Sequence, residues 1–69
     1  MNIKSKLGNK IRELRHQRNL SQEQFAIRCD LDRTYIAGIE QGKRNVSIVN
    51  IEKIAKAFQI SISDLFKDI

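Results

Sequence analysis

The chain has 69 residues, 41% hydrophobic and 30% charged, with no proline and 3 glycines. That allows one domain near the lower size limit for an unaided core, is too apolar for disorder, and favours helices joined by short turns. The 13 Lys+Arg against 8 Asp+Glu give a net charge of +5, spread along the chain, which suits a polyanionic partner. Cys29 is the only cysteine, which excludes an internal disulfide and a multi-cysteine metal site. No apolar run approaches a membrane span, and MNIKSKLGNK lacks the apolar core of a signal peptide. A soluble protein of the prokaryotic cytoplasm, not associated with membranes, is expected.

In chain order, the first predicted helix covers about 6–18, with Ser5 as N-cap and Leu7, Ile11 and Leu14 on one face. Asn19 suits the left-handed stop, and Leu20 turns back into the core. Ser21 and Gln24 fit a capping box that starts a second helix, with Phe25, Ala26 and Cys29 inward. Asp30 ends that helix and Leu31 plugs the turn. Asp32 caps a third helix over about 33–41, followed by Gly42 as its C-terminal glycine. Ser47 caps a fourth over about 48–58, with Ile51, Ile54, Ala55 and Phe58 inward, and Ser61 with Asp64 makes a second capping box before a short fifth helix. One all-α domain spans 1–69, without repeat or linker, and Met1 at its start fits a whole protein.

The second and third helices are joined by about three residues, the geometry of a helix-turn-helix over about 21–41. Ala26 is small where they cross, and Leu31, Ile36 and Ile39 are apolar where they pack. The segment LSQEQFAIRCDLDRTYIAGIEQGKRNVSIVNIEKIAKAFQISISDLF resembles the Cro/phage-repressor (XRE) class of helix-turn-helix DNA-binding proteins, over about 6–66. RTYIAGIEQGKRNVSIVNIEKIAKAF is most similar to the controller proteins of restriction–modification systems. The resemblance implies a five-helix, lambda-repressor-like fold. Where the class usually has glycine in the turn this chain has Asp30, which tolerates the left-handed conformation less well. Cys29 stands where a small residue is usual and is read as a small buried hydrophobe.

Arg33, Thr34, Ala37, Gly38 and Gln41 share the face of the third helix opposite Ile36 and Ile39, and form the expected base-reading surface. Small residues at 37 and 38 would let the helix enter the major groove, about 12 Å wide, while Arg33 and Thr34 reach base edges. Gln22, Tyr35, Lys43, Arg44 and Asn45 are the expected phosphate contacts, which position rather than specify. For Gln22 the resemblance implies a backbone contact as well, and for Arg44 an approach to bases. Tyr35 flanks the reading face, where it serves either the DNA backbone or the core. The resemblance also implies a structural ion pair between Arg15 and Glu40, linking the first helix to the third.

Ile60, Ile62, Leu65, Phe66 and Ile69 are many apolar side chains for one short helix. They mark a dimerisation region over about 58–69, through which the class commonly forms dimers. Two-fold symmetry would set two recognition helices one DNA turn apart, about 34 Å. His16, the only histidine, lies in a polar stretch, and no set of residues suggests catalysis, a metal or a cofactor. The expected function is therefore a dimeric, sequence-specific transcription regulator on double-stranded DNA, of the controller kind. It would block RNA polymerase or contact it from upstream, with no small-molecule ligand. The competing readings are a phage-type repressor, an antitoxin-like protein-interaction module, and the DNA-binding part of a larger protein.

Overall fold

Every helix begins at a small polar side chain that accepts a hydrogen bond from the first turn. The computed structural model describes residues 2–69. Its five helices are α1 (Ile3–Gln17), α2 (Gln22–Cys29), α3 (Arg33–Glu40), α4 (Ile48–Ala57) and α5 (Ile62–Leu65). Their caps are Asn2, Ser21, Asp32, Ser47 and Ser61. Ser21 and Gln24 complete a reciprocal capping box, at 3.1 and 2.9 Å. At α5 only the forward bond forms, Ser61 Oγ accepting from Asp64 N at 2.9 Å; an aspartate is one methylene short of the usual return partner.

The start of α1 differs from the sequence expectation. Asn2 accepts from the N–H of Ser5 at 3.0 Å, so Ser5 lies inside the helix rather than capping it. The extra turn packs close to Gly42, where an added Cβ would stand 2.6 Å from Ser5 Oγ. At the other ends Arg18, Gln41 and Phe58 are C-caps, each one residue past the helix.

Four helices stop in the same way. After the last turn a residue takes positive φ, and the next N–H returns to a carbonyl five residues earlier. The pairs are Leu20 to Arg15, Leu31 to Ala26, Lys43 to Gly38 and Ile60 to Ala55, at 2.9–3.1 Å. The left-handed residues are Asn19 (φ 55°), Asp30 (57°), Gly42 (75°) and Gln59 (59°). This closure satisfies orphan carbonyls, and after α1, α2 and α4 it turns the following hydrophobe inward. Leu20 is buried, and Leu31 and Ile60 pack against the core. Asp30 therefore keeps the turn that a glycine would make more easily.

The core is continuous across all five helices: Leu7, Ile11, Leu20, Phe25, Ala26, Cys29, Ile36, Ile39, Ile54, Ala55, Phe58 and Leu65. Phe25 and Phe58 stack with centroids 4.2 Å apart, tying α2 to the end of α4. The guanidinium of Arg18 covers the outer side of Phe58, 5.0 Å from the ring centroid. Burial pushes the Cys29 thiol up to about 12, which keeps it protonated and poorly nucleophilic.

Gly8 sets the distance between α1 and α3. A Cβ there would stand 2.3 Å from the carbonyl oxygen of Ile39 and 3.0 Å from that of Glu40. Backbone cannot rotate away as a side chain can. Gly8→Ala is expected to force the two helices apart and to lower stability by about 1–3 kcal/mol, despite alanine's better helix propensity. Chemical denaturation would show this, and an unchanged or raised midpoint would refute it.

Candidate nucleic-acid interface

The turn between α2 and α3 is short and fixed at both ends. Asp30 closes α2, and Asp32 Oδ1 accepts from Thr34 N at 3.4 Å to open α3. Ile36 and Ile39 are buried beneath α3, at 0% and 1% exposure. The opposite face is consequently committed to solvent: Arg33, Thr34 and Gln41 are exposed, and Ala37 and Gly38 are partly covered. These five residues lie together on one helical surface, with Arg33 at its N-terminal end.

The loop after α3 folds back across that surface. Lys43, Arg44 and Asn45 are all exposed. The Arg44 guanidinium lies 5.4 Å from the centroid of the Tyr35 ring. A Cβ on Gly38 would stand 3.1 Å from Arg44 Cγ and 3.2 Å from its Nε. The bare position at Gly38 therefore holds the stem of Arg44, a role different from the close groove approach expected from the sequence. Tyr35 is half-buried against the core, and its hydroxyl accepts from Asn50 Nδ2 at 3.2 Å. Its ring thus forms a platform for Arg44, braced from α4. Gly38→Ala is expected to leave stability equal or raised by up to about 1 kcal/mol, from helix propensity, because Arg44 can swing aside. The same variant should bind DNA more weakly, since Arg44 loses its seat. Wild-type affinity with wild-type stability would refute this role for Gly38.

Behind the exposed face of α3 stands a buried polar cluster. Arg15 and Glu40 are 8% and 3% exposed. They pair bidentately, Arg15 Nε donating to Glu40 Oε2 at 2.8 Å and its NH2 to Oε1 at 3.0 Å. Arg15 NH1 donates to the carbonyl of Leu20 at 2.8 Å, so one side chain joins α1, α3 and the turn before α2. Gln22 Nε2 donates to Glu40 Oε1 at 3.1 Å. One amide N–H of this expected phosphate ligand is therefore already engaged inside the protein. Burial alone would raise the Glu40 carboxyl. The hydrogen bonds from Arg15 and Gln22, with the charges of Arg15 and Arg12, outweigh it and hold the group below its ordinary value. The Arg15 guanidinium is pushed further up, chiefly by its hydrogen bond to Glu40.

The expected dimer residues divide. Leu65 is 0% exposed and belongs to the core, so it presents nothing to a second chain. Ile60, Phe66 and Ile69 are partly buried against that core. Ile62 is exposed, at 37%. The more exposed apolar side chains lie elsewhere, with Ile48 and Val49 at the start of α4, Ile3 on α1 and Ile27 on α2. Periodicity marks Ile48 only as the first residue of its helix and does not single out the others, although two adjacent hydrophobes directly after the Ser47 cap are a visible signal. Among the described residues no helix is long and apolar enough to cross a membrane.

A family model described as helix-turn-helix matches residues 11–65. The chain belongs to this family. Among helix-turn-helix proteins it is 56% identical over 68 residues to the control protein C.MunI of a Mycoplasma species, covering 97% of this chain and 92% of that one. The crystal structure of the restriction–modification controller protein C.AhdI from Aeromonas hydrophila superposes with a TM-score of 0.88 at 49% identity, over 91% of this chain and 96% of that one. The controller protein C.Esp1396I, solved as a tetramer in complex with its natural 35 base-pair operator, superposes with a TM-score of 0.87 at 36% identity, over 96% of this chain and 87% of that one. The helix-turn-helix of this family is α2 and α3, the pair that carries the open polar face.

Proposed function

We propose that this protein is a sequence-specific transcription regulator of the restriction–modification controller kind, acting in the cytoplasm on double-stranded DNA. The observation that carries the reading is the outer face of α3. Arg33, Thr34 and Gln41 stand free on a helix whose other side is anchored in the core, with Lys43, Arg44 and Asn45 beside it. A rigid helix with an arginine at its exposed N-terminal end suits the major groove, where arginine pairs bidentately with guanine. The flanking cations suit phosphates, which fix register. Likeness to a controller solved on its operator supports the same use of the surface.

In this reading Arg33 and Thr34 read bases, Ala37 and Gln41 line the groove, and Arg44 contacts both bases and backbone. Gln22, Lys43 and Asn45 hold phosphates, with Tyr35 positioning Arg44. The active form is a homodimer on a palindromic operator, and regulation follows from blocking polymerase or from contacting it when bound upstream. Ile62 with the edges of Ile60, Phe66 and Ile69 contributes to the dimer surface, and Ile48 and Val49 on α4 offer further apolar area.

Selection of bound sites from random duplex DNA at two salt concentrations tests this. A palindromic motif, bound with steep salt dependence, is the expected result. Weak binding with no preferred sequence at either salt would overturn the proposal. Sedimentation across a broad protein concentration range tests the dimer, and monomer throughout would remove it.

A further inference from the structure

The cluster behind α3 contains one more cation than its own carboxylate needs. Glu40 is neutralised by Arg15 through two short bonds, and its side chain is 1% exposed. Arg12, one turn earlier on α1, nevertheless stands 3.7 Å from Glu40 Oε1 through Nε and donates from NH2 to the Glu40 carbonyl at 3.4 Å. Both distances are long for a charge-assisted bond. The Arg12 side chain is 49% exposed, in contrast to 9% for Arg15. Two guanidiniums face one carboxylate, which leaves a surplus positive charge at the surface.

The position of that surplus is specific. Gln22, the first residue of α2, donates to the same Glu40 Oε1 that Arg12 approaches. The head groups of Arg12 and Gln22 therefore meet over one oxygen, where α1, the first turn of α2 and the last turn of α3 converge. A guanidinium has five N–H donors in a fixed fork, and only part of the fork is turned toward Glu40. About half of the Arg12 side chain is left open to solvent, and its contacts with Glu40 use only Nε and NH2.

We propose that Arg12 is a DNA-phosphate contact on the α2 side of the interface, held in orientation by Glu40. This rests on the DNA-binding reading and adds a residue to it. Gln22 carries no charge and spends one of its two amide N–H donors on Glu40, so it assists at this corner while the phosphate is bound chiefly by Arg12. The contact positions the protein and carries no base preference.

The test is binding of a mixed-sequence duplex and of the selected operator, measured against salt for wild type, Arg12→Gln and Arg12→Lys, with thermal unfolding of each. Loss of one phosphate contact should lower the salt slope by about 0.9 per protomer and, at about 0.1 M salt, reduce affinity roughly tenfold per protomer. Arg12→Gln should show this loss equally on both duplexes, with a melting temperature close to wild type. Arg12→Lys should keep most of the slope, because it keeps the charge. An unchanged slope in Arg12→Gln would overturn the proposal, as would an equal loss in a folded Arg12→Lys, which would mark Arg12 as a brace for Glu40. Wild type that binds neither duplex would instead remove the DNA-binding reading, and this contact with it.

Discussion

Arg33→Ala is expected to give a folded protein that still binds DNA but no longer selects a site. Arg33 is exposed at the first residue of α3 and its side chain makes no hydrogen bond or ion pair among the described residues. Its removal should change stability by no more than about 0.5 kcal/mol, as for a surface residue. One bidentate arginine–guanine contact discriminates by about 1–3 kcal/mol. A dimer on a palindrome loses it twice, so operator affinity should fall by about 2–6 kcal/mol. Binding to unrelated duplex should fall far less, because Lys43 and Arg44 remain and that binding is electrostatic. Competition between operator and mixed-sequence DNA measures the ratio directly. A variant whose preference survives would move the reading role to Thr34, Gln41 or Arg44.

Glu40→Ala should have the largest effect on stability. Arg15 would remain buried without its partner, still bonded only to the Leu20 carbonyl, and Gln22 would lose its acceptor. Breaking a buried pair from one side costs about 3–5 kcal/mol. That is comparable with the whole stability expected of a small domain, so the variant should be largely unfolded at ambient temperature. Replacing both partners with well-packed apolar residues, Arg15→Met with Glu40→Leu, should recover most of the loss. A single Glu40→Ala that melts like wild type would show that the pair contributes little.

The same pair predicts acid sensitivity. The folded-state carboxyl of Glu40 lies below its ordinary value of 4.5. A depressed folded pKa means that the unfolded chain takes up the proton first as pH falls. The contribution is therefore complete above about pH 4.5 and is lost as pH falls from there through the folded value. Unfolding followed by circular dichroism between neutral pH and pH 3 should show this decline, and it should be absent in the double apolar variant.

What the sequence determined by itself was local. Caps at Ser21, Asp32, Ser47 and Ser61, stops at Asn19 and Gly42, and the inward stripes of α2, α3 and α4 follow from side-chain chemistry and a period of 3.6, which neighbouring residues carry among themselves. The polar face of α3 was legible for the same reason, since burying Ile36 and Ile39 commits the opposite residues to solvent. Tertiary structure decided what covers each face. Periodicity shows that Gly38 points outward, but only the folded loop brings Arg44 across it. It gives no sign that Gly8 meets the backbone of Ile39, that Gln22 donates to Glu40, or that Leu65 is drawn wholly into the core. It gives no sign either that Gly42 comes to lie beside Ser5 in the first turn of α1. Apart from Gly38 and Arg44, these contacts join residues far apart in the chain, and their closeness follows from packing the whole core at once, which no local pattern encodes.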